Sequence, residues 1–88
     1  MKSAKTNFSL SPRRHARKGS DTDVLALAAA VRDRRVASGL TQDQLALVAG
    51  VGRDTVMAFE NGRGGISLSK AFRVLKALGL VVDVKARG

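Results

Sequence analysis

Between residues 52 and 63 the chain reads GRDTVMAFENGR, and these residue types can recognise an ordered set of donors and acceptors. Arg53 carries five N–H donors in a fixed fork that matches guanine O6 and N7, a pairing worth ~1–3 kcal/mol against the wrong base. Asp54 could accept from cytosine N4, or could instead orient Arg53. Met57 could pack on a thymine methyl, or could simply touch its neighbours on a helix face. Gly52 and Ala58 are small, so they would permit close approach without specifying a base. Thr41 and Gln42 stand at a helix start, where free N–H groups and the dipole favour an anion such as phosphate. Lys70 is a further phosphate candidate.

Bond-making chemistry finds few tools in this sequence. There is one histidine, His15, and neither Cys nor Tyr, so no nucleophile–base pair or metal cluster can be assembled from familiar parts. Gly62-Arg63-Gly64-Gly65 has the glycines of a phosphate loop but lacks the lysine and the Ser/Thr that follow it. We therefore expect no enzyme, no cofactor and no metal.

Charge points to a polyanion. Lys and Arg number 16 against 7 acids among 88 residues, for a net +9 and a pI near 11.5. Such a balance favours nucleic acid or an acidic membrane surface. No apolar run approaches a membrane span, the basic start lacks the apolar stretch of a signal peptide, and the absence of cysteine suits a reducing compartment. The expectation is a cytoplasmic protein associated with the nucleoid. Only three Phe supply aromatic surface, which disfavours RNA, whose unpaired bases want aromatic stacking.

These residues need elements to hold them. Residues 1–20 contain Lys2, Lys5, Arg13, Arg14, Arg17 and Lys18 and no acid; they bury too little to order, and read as a disordered basic arm. That arm could be a solubilising tail, could lie along phosphates or in a minor groove, or could contact a toxin or protease. Residues 21–79 read as four helices. The first runs from about Asp23 to Ser38, with Leu27, Val31 and Ser38 at helical spacing and Gly39 as its stop. A second opens on a Thr41/Gln44 capping box, with Leu45 and Val48 inward and Ala46 and Ala49 allowing a close crossing. Gly50 ends it, and Val51 plugs the turn into the core. A third spans Gly52–Asn61, with Val56 and Phe59 inward. A fourth is capped by Ser67 and turns Leu68, Ala71, Phe72, Leu75 and Leu78 to one face and Lys70, Arg73 and Lys76 to the other. Gly79 stops it. Over 80–86 the period changes to alternation, Leu80, Val82 and Val84 against Val81, Asp83 and Lys85, so residues 80–88 predict a strand. A lone apolar edge invites a second copy to pair antiparallel across a two-fold axis, making Leu80, Val81, Val82, Asp83 and Val84 the dimer strand. The other option is a tail folded back on the fourth helix.

Two short helices around a tight turn, the second presenting polar and small residues, form the layout of a helix-turn-helix reader, whose second helix enters the major groove. Residues 23–85 resemble the lambda-repressor-like, or XRE, family through RxxR (Arg32 to Arg35), GLTQxxLA (Gly39 to Ala46), the Gly50-Val51 turn and FENG (Phe59 to Gly62). Among subfamilies they are most similar to HipB-type antitoxins, from FEN, a short Gly-rich loop and LSKAFRVLKALGL running into a strand. The resemblance implies an all-α domain of four to five helices with one C-terminal strand pairing across a homodimer. It implies a repressor of its own operon, reading a palindromic operator in double-stranded DNA and holding a HipA-type kinase toxin. Asn61, Gly62 and Arg63 fall in the loop that, in the resembled repressors, touches the backbone on the far rim. Arg35 and Glu60 match a structural ion pair between the first and third helices. Arg34 departs from the pattern, which usually has an apolar residue; its stem would pack while its head reached solvent.

Three functional classes stand on this reading: a dimeric repressor that doubles as antitoxin, a stand-alone regulator of the same family, and an interaction module whose main work is binding a toxin. With ~6–10 phosphates engaged, affinity would fall ~10³–10⁵-fold between ~50 and ~200 mM salt.

Overall fold

Three of the four helices open on a side-chain cap. The computed structural model describes residues 21–87; the arm expected over 1–20 lies outside the described residues. Helix α1 spans Thr22–Ala37, α2 Gln42–Ala49, α3 Arg53–Glu60 and α4 Leu68–Ala77. Asp21 starts α1 by accepting from the amides of Asp23 and Val24 at 3.0 and 3.2 Å, pairing two donors that a helix start leaves free. In α2 the Gln44 amide donates to Thr41 Oγ1 at 3.0 Å, while the Thr41 amide donates to Gln44 Oε1 at 2.8 Å. Ser67 accepts from the Lys70 amide at 3.2 Å to start α4. Gly52, which precedes α3, supplies no such side chain.

The turns decide how these helices meet. Gly50 sits at φ 72°, a left-handed conformation that costs glycine little. The Val51 amide can then reach back to the Ala46 carbonyl at 3.0 Å, which closes the end of α2 and turns Val51 onto the core. Helix α3 begins two residues later, against α2 and α1. The core is built from Val31, Leu45, Ala46, Ala49, Val56, Phe59, Val74, Leu75, Leu78 and Leu80. Small Ala46 and Ala49 lie where α2 packs on its neighbours, and both are buried.

Several inward faces are rotated from expectation. Val48 is 64% exposed, and α2 instead buries Leu45, Ala46 and Ala49. At about 100° per residue, Val48 falls outside the arc that those three share. On α4 the stripe is Ala71, Val74, Leu75 and Leu78; Leu68 and Phe72 are exposed, and Val74, not expected inside, is fully buried. Ser38 is the exposed C-cap of α1 rather than part of its inner stripe, where Ala28 is buried instead. Arg34 also differs: its Nε donates to the Leu78 carbonyl at 3.0 Å. Its head closes the end of α4, where carbonyls lack helical partners, instead of reaching solvent.

Among the described residues no strand forms, and 81–87 are neither helix nor strand. A strand exists only against a ladder partner, and four helices in one chain offer none. The start of the segment is nonetheless anchored. The Leu80 amide donates to the Leu75 carbonyl at 2.9 Å, Leu80 is buried and Val82 packs on the core. Val81 and Val84 face outward.

Candidate nucleic-acid interface

The footing of α3 is a half-buried ion pair. Arg35 Nε donates to Glu60 Oε2 at 2.6 Å and Arg35 Nη2 to Glu60 Oε1 at 3.0 Å, so both oxygens of the carboxylate are engaged. Arg35 Nη1 donates to the Leu40 carbonyl at 2.7 Å, and Gln42 Nε2 donates to Glu60 Oε1 at 3.2 Å. The side chains of Arg35 and Glu60 are 13% and 3% exposed. Bonding to Glu60 raises the Arg35 pKa above its ordinary value, against the opposing effect of burial, so the guanidinium stays charged at every physiological pH. One cluster therefore ties the last turn of α3 to α1 and to the first residue of α2.

With Val56 and Phe59 buried, the opposite side of α3 faces out. Arg53 and Asp54 are exposed, and Met57 and Ala58 are half-buried. Gly52 lies at φ −77°, and a Cβ there would meet nothing within 4 Å. Neither its backbone nor packing within the chain calls for glycine.

Asp54, Met57, Ala58, Asn61 and Arg63 line one concave surface along α3. It continues into a groove between α3 and α4 that adds Thr55, Ile66, Ser67 and Lys70. The arrangement thus brings three of the five base-reading candidates together with three of the six phosphate candidates. Thr41 and Gln42 stand apart, at the start of α2, and join the cluster through Gln42 and Glu60. The Thr41 oxygen already accepts from Gln44; its hydroxyl hydrogen is still a donor. Gly62 is half-buried at the turn after α3, where a side chain would meet Leu25.

Three residues at this surface were not among the site candidates read from the sequence. Thr55 and Ser67 add hydroxyls to the groove. Asp43, the second residue of α2, places Oδ1 3.3 Å from Arg53 Nε. Of the two roles open to Asp54, orienting Arg53 has no support in the geometry, because Arg53 pairs with Asp43. Arg73, on the outer face of α4, reaches the Gly50 carbonyl at 3.4 Å and so braces the turn.

A tight turn joining two short helices, the second with its polar side free above a buried apolar side, defines a helix-turn-helix domain. The family model described as Helix-turn-helix matches residues 31–82. The chain belongs to this family, in its XRE type, and is a DNA-binding transcriptional regulator. It is 47% identical over 49 residues to an HTH-type transcriptional regulator of Methanothermobacter thermautotrophicus, covering 56% of this chain and 71% of that protein. It is 39% identical over 62 residues to another from Sinorhizobium fredii, covering 70% and 82%. Among solved structures it is similar to the restriction-modification controller protein C.AhdI from Aeromonas hydrophila, with TM-score 0.62 and 30% identity over 69% of this chain and 92% of that one. It is likewise similar to a chain of the HipA-HipB-O2-O3 complex, with TM-score 0.67 and 27% identity over 83% of this chain and all of that one. Among the described residues, no helix is long and apolar enough to cross a membrane.

Proposed function

We propose that this protein is a dimeric, sequence-specific repressor and the HipB-like antitoxin of a type II toxin–antitoxin operon. In this reading α3 enters the major groove, where Arg53, Asp54 and Met57 read base edges and Gly52 and Ala58 allow the approach. Thr41, Gln42, Asn61, Gly62, Arg63 and Lys70 hold the phosphates at the two rims. The observation that carries the reading is the exposed side of α3. It presents a guanidinium, a carboxylate and small residues outward, while the same helix is fixed from behind by Val56, Phe59 and Glu60. Residues 80–84 would become the dimer strand once a second copy supplies the ladder, since Val81 and Val84 are left outward in the single chain.

The antitoxin assignment rests on likeness to the HipA-HipB-O2-O3 complex, in which this chain spans the whole length of its counterpart. A HipA-type kinase would be the protein partner, and the cytoplasm, with its nucleoid, the compartment. A stand-alone regulator is the second reading, favoured by the comparable likeness to C.AhdI. Tagged pull-down from the source cells, sized by mass spectrometry, separates the two. A near-stoichiometric kinase-sized partner is the expected result. Recovery of this protein with DNA fragments alone would remove the antitoxin role and leave the regulator. Footprinting tests the shared part: protection of half-sites one helical turn apart, or a multiple, is expected. Equal binding to all duplexes would refute operator reading.

A further inference from the structure

We propose that Asp43 is a positioning residue for base recognition: it holds the Arg53 guanidinium so that its terminal nitrogens meet a guanine edge. The inference rests on the operator-reading role given to α3 above. Arg53 is the first residue of α3 and Asp43 the second of α2, ten positions apart in sequence and joined across the turn. The contact runs from Asp43 Oδ1 to Arg53 Nε at 3.3 Å. Engaging Nε leaves Nη1 and Nη2 unpaired, and two terminal nitrogens are the number that guanine O6 and N7 require.

The surroundings make this carboxylate costly unless it has such a use. It stands beside Thr41 and Gln42, at a helix start that would face phosphate, and an anion there opposes an approaching duplex. Its own helix dipole favours an acid in the first turn, but so would any carboxylate turned away from Arg53. In the free protein both side chains are largely exposed, 67% for Asp43 and 61% for Arg53, so water screens the pair and it adds little to folding. When a duplex covers the groove and water leaves, the same contact strengthens. It then acts on how Arg53 is aimed. A guanidinium without this brace is free to swing to a phosphate, where it would hold DNA without reading it.

The test uses the full chain and a library of duplexes randomised over the site, selected with the wild type, Asp43→Ala, Arg53→Ala and the double variant. The wild type is expected to select a guanine that Arg53→Ala no longer prefers. That preference, about 5- to 150-fold for a good bidentate pair, should fall several-fold in Asp43→Ala. In the Arg53→Ala background, Asp43→Ala should change it no further, because the effect passes through Arg53. Affinity for random duplex distinguishes a folding defect, which lowers it, from loss of the brace, which leaves it unchanged or raises it. Wild-type guanine preference in Asp43→Ala, or an equal effect of Asp43→Ala with and without Arg53, overturns the inference while operator reading stands. A library that yields no preferred sequence for the wild type overturns both.

Discussion

Glu60→Ala should unfold the domain rather than alter what it reads, and the magnitude follows from the cluster it empties. The substitution removes the partner of Arg35 Nε and Nη2 and leaves that guanidinium bonded to the Leu40 carbonyl, in a site where its side chain is 13% exposed. Breaking a buried pair from one side costs about 3–5 kcal/mol, because the remaining charge has lost both water and partner. Arg35 and Glu60 are half-buried, so these figures are upper values. A domain of this size has roughly 3–10 kcal/mol in total, at ~0.05–0.15 kcal/mol per residue. The loss is therefore comparable to the whole. At about 4–8 °C per kcal/mol, the midpoint should fall on the order of 12–40 °C.

The assay is thermal unfolding followed by circular dichroism at fixed protomer concentration, since dimerisation would shift the midpoint by mass action. Asp43→Ala is the internal contrast: it breaks a pair of the same chemistry that lies in solvent, and should cost no more than ~1 kcal/mol of stability. Replacing both charges, as in Arg35→Met with Glu60→Leu, should recover much of the loss, since apolar groups of similar volume often match a buried pair. A Glu60→Ala midpoint within a few degrees of wild type would refute the reasoning. So would a double variant as unstable as the sum of its parts.

Three further outcomes test other parts of the structure. Gly62→Ala should cost about 1–3 kcal/mol, because Gly62 lies at φ 75° and its new Cβ would come 2.5 Å from Leu25 Cδ2; Gly64→Ala, with negative φ and open space, should leave the melting midpoint nearly unchanged. Arg34→Met keeps the stem but removes the bond to the Leu78 carbonyl, and should cost about 1–2 kcal/mol in denaturant unfolding, toward the lower part of the range for charged hydrogen bonds because the residue is only half-buried. Val84→Lys alters a side chain that is 74% exposed in the single chain; sedimentation should find monomers with an unchanged fold, and an undisturbed dimer would argue against pairing through this segment.

The parts of the fold that were legible in the sequence are those decided within one turn of helix. Thr41 and Gln44, Ser67, and the glycines that follow each helix act on backbone groups three to five residues away, and the structure places them accordingly. Faces were less legible. Helix α2 is eight residues long and has Leu45, Leu47 and Val48 to choose from. Two turns of helix cannot fix a phase when apolar residues stand on more than one side, and packing against α3 and α4 selected Leu45 with the two alanines. Helix α4 repeats the problem: at about 100° per residue Leu68, Phe72, Val74 and Leu75 spread over roughly 160°, and the neighbours choose which part of that arc is buried.

The candidate site divides along the same line. Arg53 stands out as a candidate because its chemistry is its own: no other residue in GRDTVMAF offers a planar fork, and the first turn after Gly52 is where such a fork would meet a base edge. Its partner does not. A reading confined to one helix looks only a few positions along the chain, where Asp54 was the nearest acid and Asp43, ten positions back, too distant to consider. The distance from Asp43 to Arg53 is set by Gly50, Val51 and Gly52, which reverse the chain and lay the start of α3 beside the start of α2. A residue type can therefore announce recognition chemistry alone, whereas the aim of that chemistry depends on a turn. Any reading of specificity from α3 by itself would omit a charge that stands 3.3 Å from its principal donor.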